Sequence, residues 1–177
     1  MKKLLFVLLP ICLLAGCAPE PEKPLDPVTP TMLSAKLSKA NSGLTSEDST
    51  EVKSLSLPVE GSEVTYSLEI GVPCYNHSSH NEIIMKNGAY FKSNSSYKVD
   101  RLIIDYYGTK GTNFDVFNNL DGSGEKLVGH ESSVQPVDPT DGGKVLEYSI
   151  GGSEWIIKNN TEVNKPGFYS VTIVFTI

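Results

Sequence analysis

The chain has 177 residues, with 15 basic and 21 acidic side chains, so its net charge is −6 and its pI is about 5.1. Nucleic-acid binding requires cations clustered against phosphates. Here the lysines are scattered and Arg101 is the one arginine, so we expect no nucleic-acid partner.

The first 16 residues have the three parts of a secretory signal. Lys2 and Lys3 form a basic start, an apolar run follows from Leu4 to Leu14, and small residues precede Cys17. The apolar run is shorter than the roughly 20 residues that cross a bilayer as a helix. We therefore predict that residues 1–16 are a signal peptide.

The segment Leu14-Ala-Gly-Cys17 resembles the lipobox of bacterial lipoproteins. The resemblance implies cleavage before Cys17, acylation of its thiol with fatty chains such as palmitate, and a membrane partner held by this lipid anchor. Lipoproteins that stay at the inner membrane carry aspartate directly after the cysteine. This chain has Ala18 there and so resembles lipoproteins that are sorted to the outer membrane. Glu20 and Glu22 resemble the acidic export signal of Bacteroidetes lipoproteins, which implies exposure at the cell surface.

A proline-rich stretch follows the cysteine. Five prolines lie between Ala18 and Pro30, and such a sequence favours an extended polyproline II spacer. We assign residues 17–45 to the lipidated cysteine and a disordered tether, and residues 46–177 to a folded domain. Within the tether, four apolar positions would also fit a first strand or a short helical turn: Met32, Leu33, Ala35 and Leu37.

From about Glu51 onward, apolar and polar residues alternate with the period of a β-strand. The Asn87-Gly88 dipeptide predicts a type I′ hairpin turn, and the last strand is expected to be central. These patterns predict an all-β fold, an antiparallel β-sandwich of jelly-roll type. The predicted strands are 51–57, 63–70, 81–86, 89–93, 97–107, 113–118, 144–150, 154–158 and 168–177.

Three segments resemble discoidin-like and carbohydrate-binding-module-like jelly rolls, which small Bacteroidetes lipoproteins carry. They are Val99–Gly108, Asn113–Phe117 and Gly167–Phe175. The resemblance implies the jelly-roll fold and directs attention to glycans as ligands. It carries no binding residue over to this chain.

A glycan site needs aromatic faces beside polar groups. Trp155 is the one tryptophan of the chain. If Leu102, Ile104 and Tyr106 face the core, then Tyr107, Arg101 and Asp105 share the opposite face of the same strand. We predict Trp155, Tyr107, Arg101 and Asp105 as ligand-binding residues. The alternative is that strand aromatics serve as core or cross-strand partners.

Two kinds of metal site have weaker signals. Cys74, His77 and His80 would suit zinc or copper if Glu82 or His130 supplied a fourth ligand, but a polar loop explains them as well. The acidic loops Asp121–Glu125 and Asp138–Gly143, with Asp121, Asp138 and Asp141, could hold a structural calcium. Tight turns need the same residues, so we predict turns and no required cofactor.

No motif for catalysis is present in the sequence, which lacks the Gly-x-Ser-x-Gly and His-Glu-x-x-His patterns. We therefore expect a non-catalytic, lipid-anchored module of the cell envelope that recognises glycans. The alternatives are a structural or protein-interaction subunit of an outer-membrane complex, which predicts an exposed apolar patch, and a hydrolase, which predicts carboxylates converging in one cleft.

Overall fold

The computed structural model describes residues 30–109 and 111–177, and it confirms an all-β fold of two antiparallel sheets packed as a sandwich. The signal peptide, Cys17 and the proline-rich stretch up to residue 29 lie outside the described residues. Among those described, no helix is long and apolar enough to cross a bilayer. The assignment to the jelly-roll type stays a prediction.

Most connections between the strands cross from one sheet to the other. The larger sheet has the order β4-β5-β12-β7-β10-β9, with β1 also paired to β12, and the smaller sheet has the order β2-β3-β6-β11-β8. In chain order the strands are β1 (Met32–Ser38), β2 (Lys53–Pro58), β3 (Thr65–Ile70), β4 (Cys74–Asn76), β5 (Ile83–Met85), β6 (Tyr90–Ser93), β7 (Lys98–Tyr107), β8 (Phe114–Phe117), β9 (His130–Glu131), β10 (Gly143–Gly152), β11 (Ile156–Asn159) and β12 (Gly167–Thr176).

The core between the sheets is rich in aromatic side chains. Phe114 packs against both Tyr106 and Phe168, with ring centroids 5.1 Å apart in each case. The inward positions predicted for β7, namely Leu102, Ile104 and Tyr106, are all buried. The predicted central position of the last strand is also confirmed, because β12 pairs with β7 on one side and with β1 and β5 on the other.

The folded part begins earlier than the sequence suggested. β1 is fully in register with β12, from Met32 opposite Thr176 to Ser38 opposite Ser170. It buries Ala35 and Leu37 in the core. The predicted tether boundary at residue 45 is therefore wrong, because alternate residues of this short segment complete the hydrophobic face of the larger sheet.

The Asn87-Gly88 dipeptide does form a turn, but the predicted hairpin is wrong. β5 and β6 belong to different sheets, so this turn carries the chain across the sandwich. The N–H of Ala89 donates to the carbonyl of Lys86 at 3.1 Å, and of the two central residues only Gly88 has a positive φ, +83°. Such a turn is of type II, whereas a type I′ turn needs positive φ at both positions.

A β-bulge at the start of β12 changes which side chains face outward. The register with β7 shifts between Phe168 and Ser170. The extra residue breaks the strict alternation. Phe168 consequently points into the core. Strict alternation along 168–177 would place Tyr169 on the inner face with Val171 and Ile173, but Tyr169 lies beside Glu82 and Asp141.

Candidate functional site

A cavity of about 290 Å³ opens at one end of the larger sheet. Several strand ends meet there, because Tyr107 at the end of β7 pairs with Gly143 at the start of β10, and β12 begins beside them. Residues from three connections, β4–β5, β9–β10 and β11–β12, converge on the cavity as a result. It is lined by Tyr75, His77, His80, Glu82, Ile84, Tyr107, Asp141 and Lys165.

The loop between β4 and β5, residues 77–82, is held by its own hydrogen bonds. Nδ1 of His77 accepts the backbone N–H groups of Ser79 at 3.3 Å and His80 at 3.1 Å. Nζ of Lys39 donates to the carbonyls of His77 at 2.5 Å and His80 at 2.7 Å. The N–H of His77 also donates to the carbonyl of Glu82 at 2.9 Å. These bonds fix the backbone that carries His80 and Glu82.

The loop before β10, residues 138–142, is fixed in a similar way. Oδ1 of Asp138 accepts the backbone N–H of Asp141 at 3.0 Å and the hydroxyl of Thr140 at 2.9 Å. The hydroxyl of Thr140, followed by the Asp141 N–H, holds the pKa of Asp138 below its usual value. The carbonyl of Asp138 accepts the N–H of Gly143 at 2.8 Å. Asp138 is thus a turn residue that positions Asp141 at the cavity.

Three ionisable side chains meet where the two loops approach each other. Nδ1 of His80 lies 3.6 Å from Oδ2 of Asp141 and 4.0 Å from Oε1 of Glu82. One ligand atom from each residue lies within 4.8 Å of the other two. His80 and Asp141 are partly exposed, whereas only 8% of the Glu82 side chain is accessible.

Glu82 has an environment that disfavours its charged form. Burial is the largest cause that raises the pKa of its carboxyl, and the neighbouring Asp141 carboxylate raises it further. His80 and His77 act in the opposite direction, yet the net pKa remains raised. A carboxylate held this deep needs a positive partner to stay ionised.

The hydroxyl of Tyr169 is buried next to this group. It is close enough to the Glu82 carboxylate to lower the carboxyl pKa, but it makes no hydrogen bond of acceptable geometry with the described residues. Burial, followed by the charges of Glu82 and Asp141, raises the pKa of the Tyr169 phenol, which therefore stays protonated at neutral pH. The site thus holds a buried hydrogen-bond donor beside the Glu82 carboxylate.

The four predicted glycan-binding residues do not come together, and only Tyr107 lines the cavity. Trp155 is completely buried in the core, so the prediction that it contacts a ligand is wrong. Asp105 does lie on the outer face, but it is only 5% exposed. The segment between β9 and β10 covers it, and the Val137 N–H of this segment donates to its Oδ2 at 2.7 Å.

Arg101 lies at the far end of β7 from the cavity. It is six residues from Tyr107 on the same strand, which is about 20 Å at roughly 3.3 Å per residue. Its Nη1 is 3.1 Å from Asp100 Oδ2, and its Nε is 3.5 Å from Glu147 Oε1. Arg101 therefore contacts neighbouring carboxylates and does not belong to the same site as Tyr107.

The three weak candidates for a metal site, Cys74, His77 and His80, do not come together, because only the two histidines line the cavity. Cys74 faces the core with no exposure, and its thiol donates to the carbonyl of Gly71 at 3.2 Å. Burial is the main cause that raises the pKa of this thiol to about 12. Cys74 therefore cannot act as a thiolate ligand, and His130 lies outside the cavity on β9.

The acidic loops behave as the turn interpretation expects. Oδ1 of Asp121 accepts the N–H of Ser123 at 2.9 Å, and hydrogen bonds from Ser123 lower the pKa of the exposed Asp121 carboxyl. Asp121 is not among the residues of the cavity, whereas Asp141 is. A structural calcium at either loop stays a prediction.

Sequence reasoning missed Tyr169 and Lys165 and gave Glu82 only a supporting role. One signal for Glu82 was available, because it directly precedes the apolar run Ile83-Ile84-Met85 and so enters a buried strand. The outward direction of Tyr169 depends on the β-bulge, which the sequence pattern does not reveal.

Gly143 is expected to be essential for the position of the loop that carries Asp141. A Cβ at this residue would lie 2.5 Å from the backbone oxygen of Asp138, which cannot move without the loop. A Cβ at Gly152, at the other end of β10, would have no atom within 4 Å. We expect Gly143→Ala to lower the free energy of unfolding by about 1–3 kcal/mol.

Gly152→Ala is the matched control and is expected to be neutral or slightly stabilising. Urea unfolding of the two variants, followed by circular dichroism, measures the difference. Equal midpoints for Gly143→Ala and the unchanged protein would show that the 138–142 loop adjusts freely.

No protein family, characterised protein or solved structure matches this chain in sequence or fold comparisons, so its function has to be argued from the geometry of the site.

Proposed function

We propose that this chain is a lipid-anchored, non-catalytic binding module of the outer membrane that holds a glycan in the cavity at the end of the larger sheet. The observation that carries the proposal is the pairing of two half-exposed tyrosines, Tyr75 and Tyr107, with charged side chains around one opening. The anchor rests on the resemblance of Leu14–Cys17 to a lipobox.

The lining suits a polar ligand with one apolar face. Sugar rings present C–H groups on their faces and hydroxyls at their edges. A tyrosine ring can therefore contact the face of a sugar while nearby charged groups form hydrogen bonds with its hydroxyls. Exposed Lys165 supplies donors, Asp141 supplies acceptors, and both lie at the cavity with Tyr107. The volume of about 290 Å³ is close to the lower limit for small-molecule sites, which suits one or two sugar units.

The hydrolase alternative is favoured by one feature, the convergence of Glu82 and Asp141 in one cleft. Retaining glycosidases place two carboxyls about 5–5.5 Å apart on either side of the bond that they cleave. Here His80 Nδ1 lies within 4.0 Å of both carboxylates and occupies the space near them. This arrangement gives the binding proposal more support than cleavage.

The protein-interaction alternative has less support from the described surface. It predicts a contiguous apolar patch of several hundred Å². Exposed apolar residues in small number are ordinary. The large exposed apolar side chains are scattered along the chain, although the pairing of Met32 with Thr176 brings Met32 close to Ile177. These side chains are Met32, Val52, Leu120, Val128, Val134, Val137, Val163 and Ile177.

A glycan array with the full chain tests the binding proposal, followed by titration of the best ligand. Tyr107→Ala is expected to weaken binding about five- to tenfold, since stacking on an aromatic face contributes about 1–1.4 kcal/mol. Tyr107→Phe keeps the ring and is expected to bind within a factor of a few.

Three results would contradict the proposal: no glycan bound, equal binding by Tyr107→Ala, or hydrolysis of the bound glycan. Co-purification with a membrane complex in place of glycan binding would favour the interaction alternative.

The anchor is tested separately by labelling cells with radioactive palmitate. The unchanged chain is expected to incorporate the label and to sediment with membranes, because two or more acyl chains give stable attachment. Cys17→Ser is expected to lose both properties. Membrane attachment of Cys17→Ser after export, or the absence of label in the unchanged chain, would refute the lipid anchor.

A further inference from the structure

We propose that His80, Glu82 and Asp141 bind one divalent transition-metal ion, with zinc as the best match to the ligand set. The proposal does not depend on glycan binding. It begins from the geometry, in which Nδ1 of His80 lies 3.6 Å from Oδ2 of Asp141 and 4.0 Å from Oε1 of Glu82. With metal–ligand bonds of about 2.0–2.2 Å, tetrahedral zinc ligands lie roughly 3.3–3.6 Å apart. The His80–Asp141 pair already has this spacing, and the other two pairs, which lie within 4.8 Å, have to move closer.

The surroundings of the three ligands point to a bound cation. Only 8% of the Glu82 side chain is accessible, and it shares this space with a second carboxylate. The Tyr169 hydroxyl, in a residue that is 3% exposed, is buried beside Glu82 without a hydrogen-bond partner among the described residues. A metal ion would compensate the two carboxylates, and Tyr169 could then donate to the Glu82 oxygen that does not bind the metal, as outer-shell donors do.

The ligands are held in place before any metal arrives. Lys39 and the ring of His77 fix the turn that carries His80, and Asp138 fixes the turn that carries Asp141. His77 itself is not a ligand in this arrangement. Its Nδ1 already accepts two backbone N–H groups, so the neutral ring carries its proton on Nε2 and has no free lone pair.

The ligand types favour a transition metal over calcium or magnesium. Calcium takes six to eight oxygen ligands and magnesium prefers oxygen and water, whereas an imidazole nitrogen suits zinc and its neighbours in the first transition row. Three protein ligands leave at least one coordination position for water or for a ligand in the cavity, which is the pattern of an open zinc site.

Isothermal titration of the chelator-treated full chain with zinc chloride tests the proposal. Cys12 and Cys17 are replaced by serine in this experiment, because their thiolates would bind zinc themselves. We expect one zinc per chain. Asp141→Asn and His80→Gln are each expected to weaken zinc binding at least about tenfold, because even the loss of an outer-shell partner lowers metal affinity 10- to 100-fold. Asp121→Asn, a change at an exposed turn outside the cavity, is the matched control and is expected to bind zinc unchanged.

A second measurement separates a metal site from a structural ion-pair cluster. Cobalt chloride added to the same chain is expected to give visible absorption bands from the bound cobalt, without the charge-transfer band that thiolate ligands produce. The Asp141→Asn variant is expected to lose the visible bands. Unchanged circular dichroism of the variants shows that they are folded. Absence of zinc binding, equal binding by Asp141→Asn and Asp121→Asn, or displacement of zinc by excess calcium would overturn the proposal.

Discussion

A chain that begins at Thr45 is expected to lose the cooperative unfolding transition that a chain beginning at Pro30 keeps. The shorter chain lacks β1, which pairs with β12 along seven residues. It also lacks the side chains of Ala35 and Leu37, which are at most 1% exposed. Burying one large aliphatic side chain contributes about 1.5–3 kcal/mol, and typical domains are stable by only 5–15 kcal/mol.

The loss should exceed what these side chains contribute, because β12 would also expose a row of unpaired backbone groups. Open edges of this kind promote aggregation. Urea unfolding, followed by the fluorescence of Trp155, compares the two chains. Equal midpoints would show that the segment before Thr45 is a tether after all.

Point variants in the intact chain provide a matched comparison on the same strand. Leu37→Ala should destabilise the fold by about 2–5 kcal/mol, as other buried leucines do. Ser34→Ala removes an exposed side chain of the same strand and should change stability by no more than about 0.5 kcal/mol.

Trp155→Ala is expected to destabilise the protein by about 3–5 kcal/mol, the usual cost of removing a buried tryptophan. The indole has no exposure, and its Nε1–H donates to the Tyr66 hydroxyl at 2.9 Å. That hydroxyl lies 2.9 Å from the Ser93 hydroxyl. The three residues come from β3, β6 and the connection before β11, so the network joins neighbouring parts of the smaller sheet.

Trp155→Phe separates packing from hydrogen bonding at this position. It keeps most of the aromatic volume but removes the Nε1–H donor, so a smaller loss of about 1–3 kcal/mol is expected. Circular dichroism during urea unfolding is the suitable measurement, because both variants lack the one tryptophan. A loss below about 1 kcal/mol for Trp155→Ala would contradict its place in the core.

Several features could be predicted from local pattern alone because they depend on residues that are neighbours in the chain. Alternation with period two identifies strands and one buried face, which is why Leu102, Ile104 and Tyr106 were placed correctly. The same local pattern placed the last strand at the centre of a sheet. The lipobox is also a local signal, and its prediction needs no tertiary structure.

The sequence pattern fails where a strand is covered on both faces or where partners are far apart. The alternation predicts that Asp105 points outward, yet the segment between β9 and β10 covers its side chain. Trp155 was predicted to contact a ligand, yet it is buried and its indole N–H donates to the hydroxyl of Tyr66, 89 residues away in sequence. Short strands such as β4 and β9 carry too few residues for a periodic signal.

The sequence by itself determined the fold class and the core-facing residues of β7, and it also predicts a lipid anchor, because each follows from residues adjacent in the chain. The tertiary structure alone decided that β1 belongs to the larger sheet and that β5 and β6 lie in different sheets. It also decided that His80, Glu82 and Asp141 meet at one cavity. Those outcomes depend on how distant strands pair, and pairing is selected by the packing of the whole sandwich.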